Sequence, residues 1–241
     1  MQLDILAFGA HPDDVELSCA GTLMAHIAQG KTVGIIDLTQ GELGTRGTPG
    51  LRLQEAAAAA QIMGVAVREN LGMADGFFTN DKAHQLQVIQ MIRKYRPQVV
   101  FANALTDRHP DHGKGGRLVA DACFLAGLRK IETELNGQPQ EPYRPAVVYH
   151  YTQFRNTQIS FAVDITGFLD KKIEAVKAYS SQFYSTNSNE PETVISTPHF
   201  LKNIEERASD LGRLTGVRYA EAFYCEAIIG VNNIFNLLHV S

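Results

Sequence analysis

Cysteine is scarce in this 241-residue chain. Cys19, Cys123 and Cys225 are odd in number, show no C-x-x-C spacing and fall in apolar segments, which argues against a disulfide framework and suits reduced core thiols. An excess of positive charge is also missing. The 22 Lys and Arg against 26 Asp and Glu leave a formal net charge of −4, so the electrostatic footprint of a nucleic-acid binder is absent. No apolar run approaches the roughly 18 residues of a membrane span, and the first residues carry neither the basic region nor the cleavage site of a signal peptide. These absences predict a soluble cytoplasmic protein with a small-molecule partner, no nucleic acid and no membrane. No Pro/Gly/Ser-rich or charged stretch divides the chain and no repeat is visible, so residues 1–241 are read as a single domain with one large core.

What is present is alternation. Apolar, β-rich runs at Leu3 to Gly9, Thr32 to Thr39, Val65 to Leu71, Val99 to Ala102 and Val147 to Tyr151 are separated by helical patterns. The helices are expected over Leu17 to Gln29, Leu51 to Met63, Gln85 to Tyr95 and Gly115 to Ala126, with Gly30, Gly64 and Pro97 as terminators. Strand and helix in turn give βαβ units, hence a Rossmann-like three-layer α/β/α sandwich with a mostly parallel sheet. The last third is less regular: Phe161 to Ile165 reads as a strand, Phe168 to Tyr179 and Pro198 to Leu211 as helices, and Glu221 to Ile228 as a late strand.

Directly after the first apolar run stands His11-Pro12-Asp13-Asp14-Val15, and after the fourth stands Thr106-Asp107-Arg108-His109-Pro110-Asp111-His112. Carboxyl ends of parallel strands are where open α/β sheets place their chemistry. His11, Asp14 and His112 supply one nitrogen–oxygen–nitrogen set for a divalent metal with a position left for water, which is the donor pattern of a hydrolytic site. Asp13 is then the spare carboxylate, free to act as general base. His109 suits oxyanion stabilisation or proton donation to the leaving group, with Asp111 orienting its imidazole. The competing reading, that these residues merely cap helices, fits one aspartate better than two histidine–carboxylate clusters. His26, His84, His150, His199 and His239 lack a clustered carboxylate and read as ordinary packed or solvated residues. A mixed donor set accepts Zn2+, and Fe2+, Mn2+ or Co2+ as well. A nicotinamide-dependent oxidoreductase is disfavoured, because Gly9-Ala10-His11-Pro12-Asp13-Asp14 stands where a pyrophosphate-binding G-x-G-x-x-G would be, and its carboxylates repel phosphate. The glycine-rich stretch Gln40 to Gly50 reads as a flexible loop that approaches a ligand closely.

Ala10-His11-Pro12-Asp13-Asp14, Thr39-Gln40-Gly41-Glu42 and Arg108-His109-Pro110-Asp111-His112 together resemble the LmbE/PIG-L family of metal-dependent N-acetylglucosamine deacetylases. Asp107 to His112, Ala178-Tyr179 and Ser181-Gln182-Phe183 are most similar to its bacillithiol-pathway branch, which deacetylates N-acetylglucosaminyl-malate. The resemblance implies zinc on His11, Asp14 and His112, with Asp13 as base and His109 at the reacting centre. It further implies substrate-binding roles for Arg52, Asp75 and Arg144, an amino-sugar glycoside as substrate, and a homo-oligomer. A forked guanidinium suits a carboxylate such as that of malate, a physical reason to look for arginine at the aglycone end. Asp107 stands where the mycothiol-pathway relatives have a tyrosine, which argues against that substrate. Chitooligosaccharide and thiol-conjugate amides are the alternatives within the family, and a non-catalytic sugar- or metal-binding module is the alternative outside it. The apolar end of the chain, Ile228, Ile229, Val231, Ile234, Phe235, Leu237 and Leu238, is expected to dock on the domain or on a neighbouring subunit.

Overall fold

The computed structural model describes residues 1–155, 158–183, 191, 193–197 and 199–237. In chain order the first half comprises β1 (Ile5–Gly9), α1 (Asp14–Ile27), β2 (Val33–Thr39), α2 (Pro49–Met63), β3 (Val67–Met73), α3 (Lys82–Tyr95), β4 (Val99–Ala102) and α4 (Pro110–Leu125). The second half comprises β5 (Glu134–Leu135), β6 (Gln138–Pro139), β7 (Val147–Tyr151), β8 (Phe161–Asp164), α5 (Leu169–Lys177), α6 (Phe200–Thr215), β9 (Ala220–Tyr224) and a 3-10 turn at Ile234–Leu237.

β1 is buried at every position, as a strand covered on both faces must be. Its side chains alternate between two cores. Ile5 and Ala7 join Val15, Cys19 and Leu23 of α1 and Ala175 of α5 on one face. Leu6 and Phe8 join Val88 and Ile92 of α3 and Leu118 of α4 on the other. Burying each of Leu6 and Phe8 contributes roughly 1.5–3 kcal/mol, so alanine at either would loosen that layer. The sheet order is β3-β2-β1-β4-β7-β9-β8. The first five strands are parallel, and β9 runs antiparallel to both β7 and β8. Ile5 is level with Val33 on one side and Val99 on the other. From β1 the chain builds outward through β2 and β3, then returns to β4 and builds the other way, so the crevice beyond the carboxyl ends of β1 and β4 is the topological switch point.

The expected fold class is the observed one, and the differences lie at element ends. α1 starts at Asp14 rather than Leu17, because Asp13 takes the N-cap position with a left-handed φ of 116° and turns the chain sharply. α4 starts at Pro110 rather than Gly115, with proline in its first turn where a missing N–H costs nothing. Asp111 and His112 are therefore helical, not part of a loop. β9 ends at Tyr224, short of the expected Ile228. The β5–β6 hairpin was not anticipated, although Asn136 and Gly137, with φ of 51° and 74°, form the Asn-Gly turn that favours such ribbons. Among the described residues no helix is long and apolar enough to cross a membrane. Past β9, Ile228, Ile234 and Phe235 are exposed. Pro198, Leu238 and His239 lie outside the described residues.

Candidate metal and catalytic site

The turns after β1 and β4 converge at the switch point, and Asn103 ties them together. Its Oδ1 accepts from Ala10 N at 2.9 Å and its Nδ2 donates to Asp14 Oδ2 at 3.0 Å. Asp14, at the first position of α1, also accepts from His11 N and from Gln153 Nε2, the latter just beyond the end of β7. Around this carboxylate stand two imidazoles. His112 Nε2 is 3.2 Å from Asp14 Oδ1, and His11 Nδ1 is 3.6 Å from Asp14 Oδ2.

Each imidazole is anchored through its other nitrogen. His112 Nδ1 lies 2.6 Å from Asp107 Oδ2, a carboxylate that also accepts the backbone N–H of Arg155. His11 Nε2 lies 3.0 Å from Asp75 Oδ1 and 3.4 Å from Asp111 Oδ2. A carboxylate behind a histidine fixes the tautomer so that the nitrogen facing the site keeps its lone pair, which is how metal-ligating histidines are held. These residues could hold a divalent cation on His11 Nδ1, His112 Nε2 and Asp14. Among the described residues two compact donor groups occur, His11 with His109 and His112, and His11 with Asp75 and Asp111, and Asp14 belongs to neither. The second group engages the nitrogen of His11 that points away from Asp14, so it serves to orient the ring.

Charge reinforces this arrangement. Burial opposes protonation of His112, but the negative charge of Asp14 and the bond to Asp107 outweigh it and carry its pKa to about 9. Burial likewise opposes a charged His11, and its bonds to Asp111, Asp14 and Asp75 raise its pKa well above the usual value. In the absence of a cation, protons compensate the carboxylates. Asp14 is held well below the ordinary carboxylate range by the two imidazoles despite its burial.

Asp13, which lines the same cavity as His11, Asp14 and His112, has a different partner. Its Oδ2 accepts from Arg52 Nη2 at 2.7 Å, and the same nitrogen donates to Pro12 O at 2.7 Å. Burial pushes the Asp13 carboxyl up to about 7, against the pull of Arg52. Left-handed backbone at a non-glycine residue is strained, and such strain concentrates at functional sites. Arg52 is also what the glycine-rich loop accommodates. A Cβ on Gly41, where φ is 64°, would sit 2.6 Å from Arg52 Nη1. The loop is tied by Leu43 N to Asp75 Oδ2 and by Arg46 Nε to Ser181 O, and Gly41 and Gly47 allow close packing there.

His109 caps α4. Its Nδ1 accepts from Asp111 N at 3.3 Å, so the neutral ring carries its proton on Nε2. Burial, then the charges of His11 and His112, lower its pKa and keep it neutral. Its ring centroid lies 4.7 Å from that of His11 and 5.2 Å from that of His112.

The expected residues thus divide. His11, Asp13, Asp14, Arg52, Asp75, His109, Asp111 and His112 are brought together. Asp111 requires a correction. Its carboxylate accepts from Gly76 N at 2.7 Å and lies 2.6 Å from Lys114 Nζ, so it braces His11, and only its backbone N–H holds His109. Asp75 has both oxygens engaged, by His11 and Leu43 N. Arg144 is a second correction. It is exposed, precedes the amino end of β7 on the far side of the sheet, and donates to Phe124 O at 2.8 Å with its guanidinium over the Phe124 ring. Asn103, Asp107, Gln153 and Arg108 were not assigned roles from the sequence. Their shared signal is position, within a few residues of the carboxyl ends of β4 and β7. Arg108 lines the cavity and stacks over Phe154 at 4.9 Å, with no carboxylate partner among the described residues.

His11, Asp13, Asp14, Arg52, Asp75, Arg108, His109, His112 and Gln153 line a cavity of about 820 Å³. Residues 6–123, which contain both histidine–aspartate turns, match the PIG-L family, described as GlcNAc-PI de-N-acetylase. The structure of the conserved protein TT1542 from Thermus thermophilus superposes with a TM-score of 0.84 at 38% identity, covering 96% of this chain and 98% of that one. The chain belongs to the PIG-L family. Other PIG-L relatives are similar across most of their length. Diacetylchitobiose deacetylase of Thermococcus kodakarensis is 29% identical over 231 residues, 90% of this chain and 80% of that protein. The probable N-acetyl-alpha-D-glucosaminyl L-malate deacetylase 2 of Bacillus anthracis is 26% identical over 198 residues, 74% of this chain and 81% of that protein. The expected nearness to the malate branch is thus no greater than the likeness to the chitobiose enzyme.

Proposed function

We propose that this PIG-L deacetylase hydrolyses the N-acetyl group of N-acetylglucosaminyl-malate to acetate and glucosaminyl-malate, with residues 1–241 acting as one catalytic domain. The observation that carries the reading is the pair of imidazoles closing on Asp14, each with a carboxylate on its remote nitrogen, beside a separate carboxylate, Asp13, tuned to about 7. His11, Asp14 and His112 would hold Zn2+ or another divalent ion, which supplies Lewis acidity toward the acyl oxygen and toward water.

Asp13 takes the proton of the attacking water. A carboxyl with a pKa near 7 is half ionised at neutral pH and strong enough as a base to keep that proton, and Arg52 holds the oxygen that is not used. The proton passes to the amine nitrogen as the C–N bond breaks. His109, neutral and with its hydrogen on Nε2, acts as a hydrogen-bond donor to the developing oxyanion rather than as an acid. Asp75, Asp107 and Asp111 orient His11 and His112. An anionic aglycone finds Arg108, whose guanidinium has no carboxylate partner among the described residues, and this replaces Arg144 in the aglycone role.

The likeness to diacetylchitobiose deacetylase supports a second reading, a neutral disaccharide substrate. Acetate release by the metal-loaded protein on N-acetylglucosaminyl-malate, diacetylchitobiose and free N-acetylglucosamine separates the two. A preference of tenfold or more in kcat/KM for the malate glycoside, lost in Arg108→Ala, is expected. Equal or greater turnover of diacetylchitobiose overturns the malate assignment, and no acetate from any of the three overturns deacetylation.

A further inference from the structure

The residues that line the cavity around His11, Asp14 and His112 fall into two chemically different sets, or arms. One is open and polar, bordered by Thr45, Asp75, Gly76 and Arg108. The other set comes from α1, α6 and the residues before α6, and is mainly apolar: Leu17, Ile195, Phe200, Ile204, Ala208 and Leu211, with Thr193 and Asn203 beside them. The charges that line the cavity with this set are compensated. Lys172 Nζ lies 2.6 Å from Glu221 Oε1, both side chains are buried, and Glu221 also accepts from Gly21 N and Thr22 N. Arg207 sits in the field of Asp107 and Glu221. Ser18, buried and one helical turn beyond Asp14, lines the cavity, and its Oγ has no hydrogen-bond partner among the described residues. At about 820 Å³ the whole cavity falls in the upper part of the roughly 300–1,000 Å³ that encloses a drug-sized ligand, more space than one acetylated hexose requires.

Resting on the deacetylase reading, we infer that the apolar arm takes the acyl group of the scissile amide and that the protein removes unbranched N-acyl groups longer than acetyl. A glycoside is polar and belongs in the open arm, which leaves the acyl side of the amide directed past Asp14 along α1. The reaction is the same hydrolysis. Water adds its oxygen to the acyl carbon, the C–N bond breaks, and the products are a fatty carboxylate and the free amine, which takes the proton. No further reagent is needed. Each methylene that enters the arm should tighten binding roughly fourfold.

The test is free-amine release by the full-length, metal-loaded protein from N-acetyl-, N-butanoyl-, N-hexanoyl- and N-octanoyl-glucosamine, with octyl N-acetylglucosaminide as the control for an apolar aglycone. Octanoate and acetate binding, measured by calorimetry, gives a readout independent of turnover. The expected result is kcat/KM for butanoyl and hexanoyl at or above that for acetyl, with octanoate binding at least tenfold tighter than acetate. Ala208→Phe should lower the hexanoyl-to-acetyl ratio at least tenfold, and Ile204→Ala should move the optimum to a longer chain, so one variant suffices if the other fails to fold. A fall of more than tenfold from acetyl to butanoyl overturns the inference while leaving deacetylation intact. So does a gain confined to the octyl glycoside, which gives the arm to the aglycone. If no amide is cleaved, deacetylation itself fails, and octanoate binding no tighter than acetate then rejects the arm as an acyl site.

Discussion

Two buried acidic clusters flank the start of α1, and they differ in how far permanent cations of the protein offset their carboxylates. In the first, Arg68 from β3 makes a two-pronged bond to Asp37 at 2.8 and 2.9 Å and pairs with Glu16, while the Tyr179 hydroxyl donates to Glu16. The second brings together Asp13, Asp14, Asp75, Asp107 and Asp111; among the described residues Arg52 pairs with Asp13 and Lys114 with Asp111, and Arg207 lies in the field of Asp107. The first cluster is closed and structural. The second has surplus negative charge and two imidazoles that compensate it with protons, which an incoming divalent cation can displace to gain their nitrogens as donors.

The sharpest way to break this contrast is to remove a donor. Asp14→Ala or His11→Ala should abolish stoichiometric metal binding, measured by elemental analysis after dialysis, and reduce acetate release to background. Full metal content in either variant would remove that residue from the proposed set. Asp13→Asn probes the next layer. It should keep its metal and lose about 10²- to 10⁴-fold in turnover, the usual contribution of a general base. The sign of the pH effect follows from the same residue: the ionised carboxyl is the active form, so kcat/KM should fall as pH drops through about 7, and the acid limb should vanish in the variant. An unchanged acid limb in Asp13→Asn would assign it to another group.

The closed cluster makes the opposite prediction. Arg68→Met leaves Glu16 and Asp37 buried without a counter-ion and should cost about 3–5 kcal/mol in a urea denaturation, with one metal per chain retained in the fraction that folds. Loss of metal at unchanged stability would erase the distinction between the clusters.

That distinction was only half legible in the sequence. The strands announced themselves because β1 and β2 are buried on both faces and read as continuous apolar runs, which fixes the parallel sheet and the end at which the turns emerge. His11, Asp13, Asp14 and His112 stood out because they are chemically conspicuous and follow those runs directly. Asp107 stood within the same motif, yet nothing in its type separates an aspartate bonded to His112 Nδ1 from one in solvent. Arg68 and Asp37 sit on adjacent strands two positions out of level, a pairing that depends on register, which no local pattern reveals. Arg144 misled for a related reason. Its neighbours in sequence lead into a sheet strand, but they enter at the amino end, and only topology tells which end of the sheet carries the site.

A smaller effect tests the orienting carboxylates. Asp107→Ala should weaken metal binding about 10- to 100-fold, as loss of such partners typically does, without removing a ligand. It should also reshape proton linkage. In the cation-free protein His112 keeps its proton up to about 9 and His11 is likewise held protonated, and the bound ion needs both rings neutral, so affinity should rise with pH above 7 and binding at pH 7 should release protons from both rings. The charged-ring contribution to folding has the matching sign: fully present below the unfolded pKa of about 6.5 and lost as pH rises through the folded value. Removing Asp107 takes away one of the two carboxylates that sustain this shift, so fewer protons should be released at pH 7. Calorimetry in buffers of different ionisation enthalpy measures the count, and an unchanged count in Asp107→Ala would mean that Asp14 alone holds the ring.

The least perturbing change is the one that the sequence alone would rank as serious. Arg144→Ala removes two hydrogen bonds to a single carbonyl and a stacking contact on an exposed ring, all at the end of the sheet opposite the cavity. Exposed contacts of this kind change stability by no more than about 0.5 kcal/mol. KM for the malate glycoside should therefore match the unmodified protein, whereas Arg108→Ala should raise it at least tenfold. A raised KM in Arg144→Ala with stability unchanged would require its guanidinium to reach a substrate from the wrong side of the sheet, which a single chain does not allow. That outcome would make a second copy of the chain, contributing Arg144 across a subunit boundary, the physical explanation.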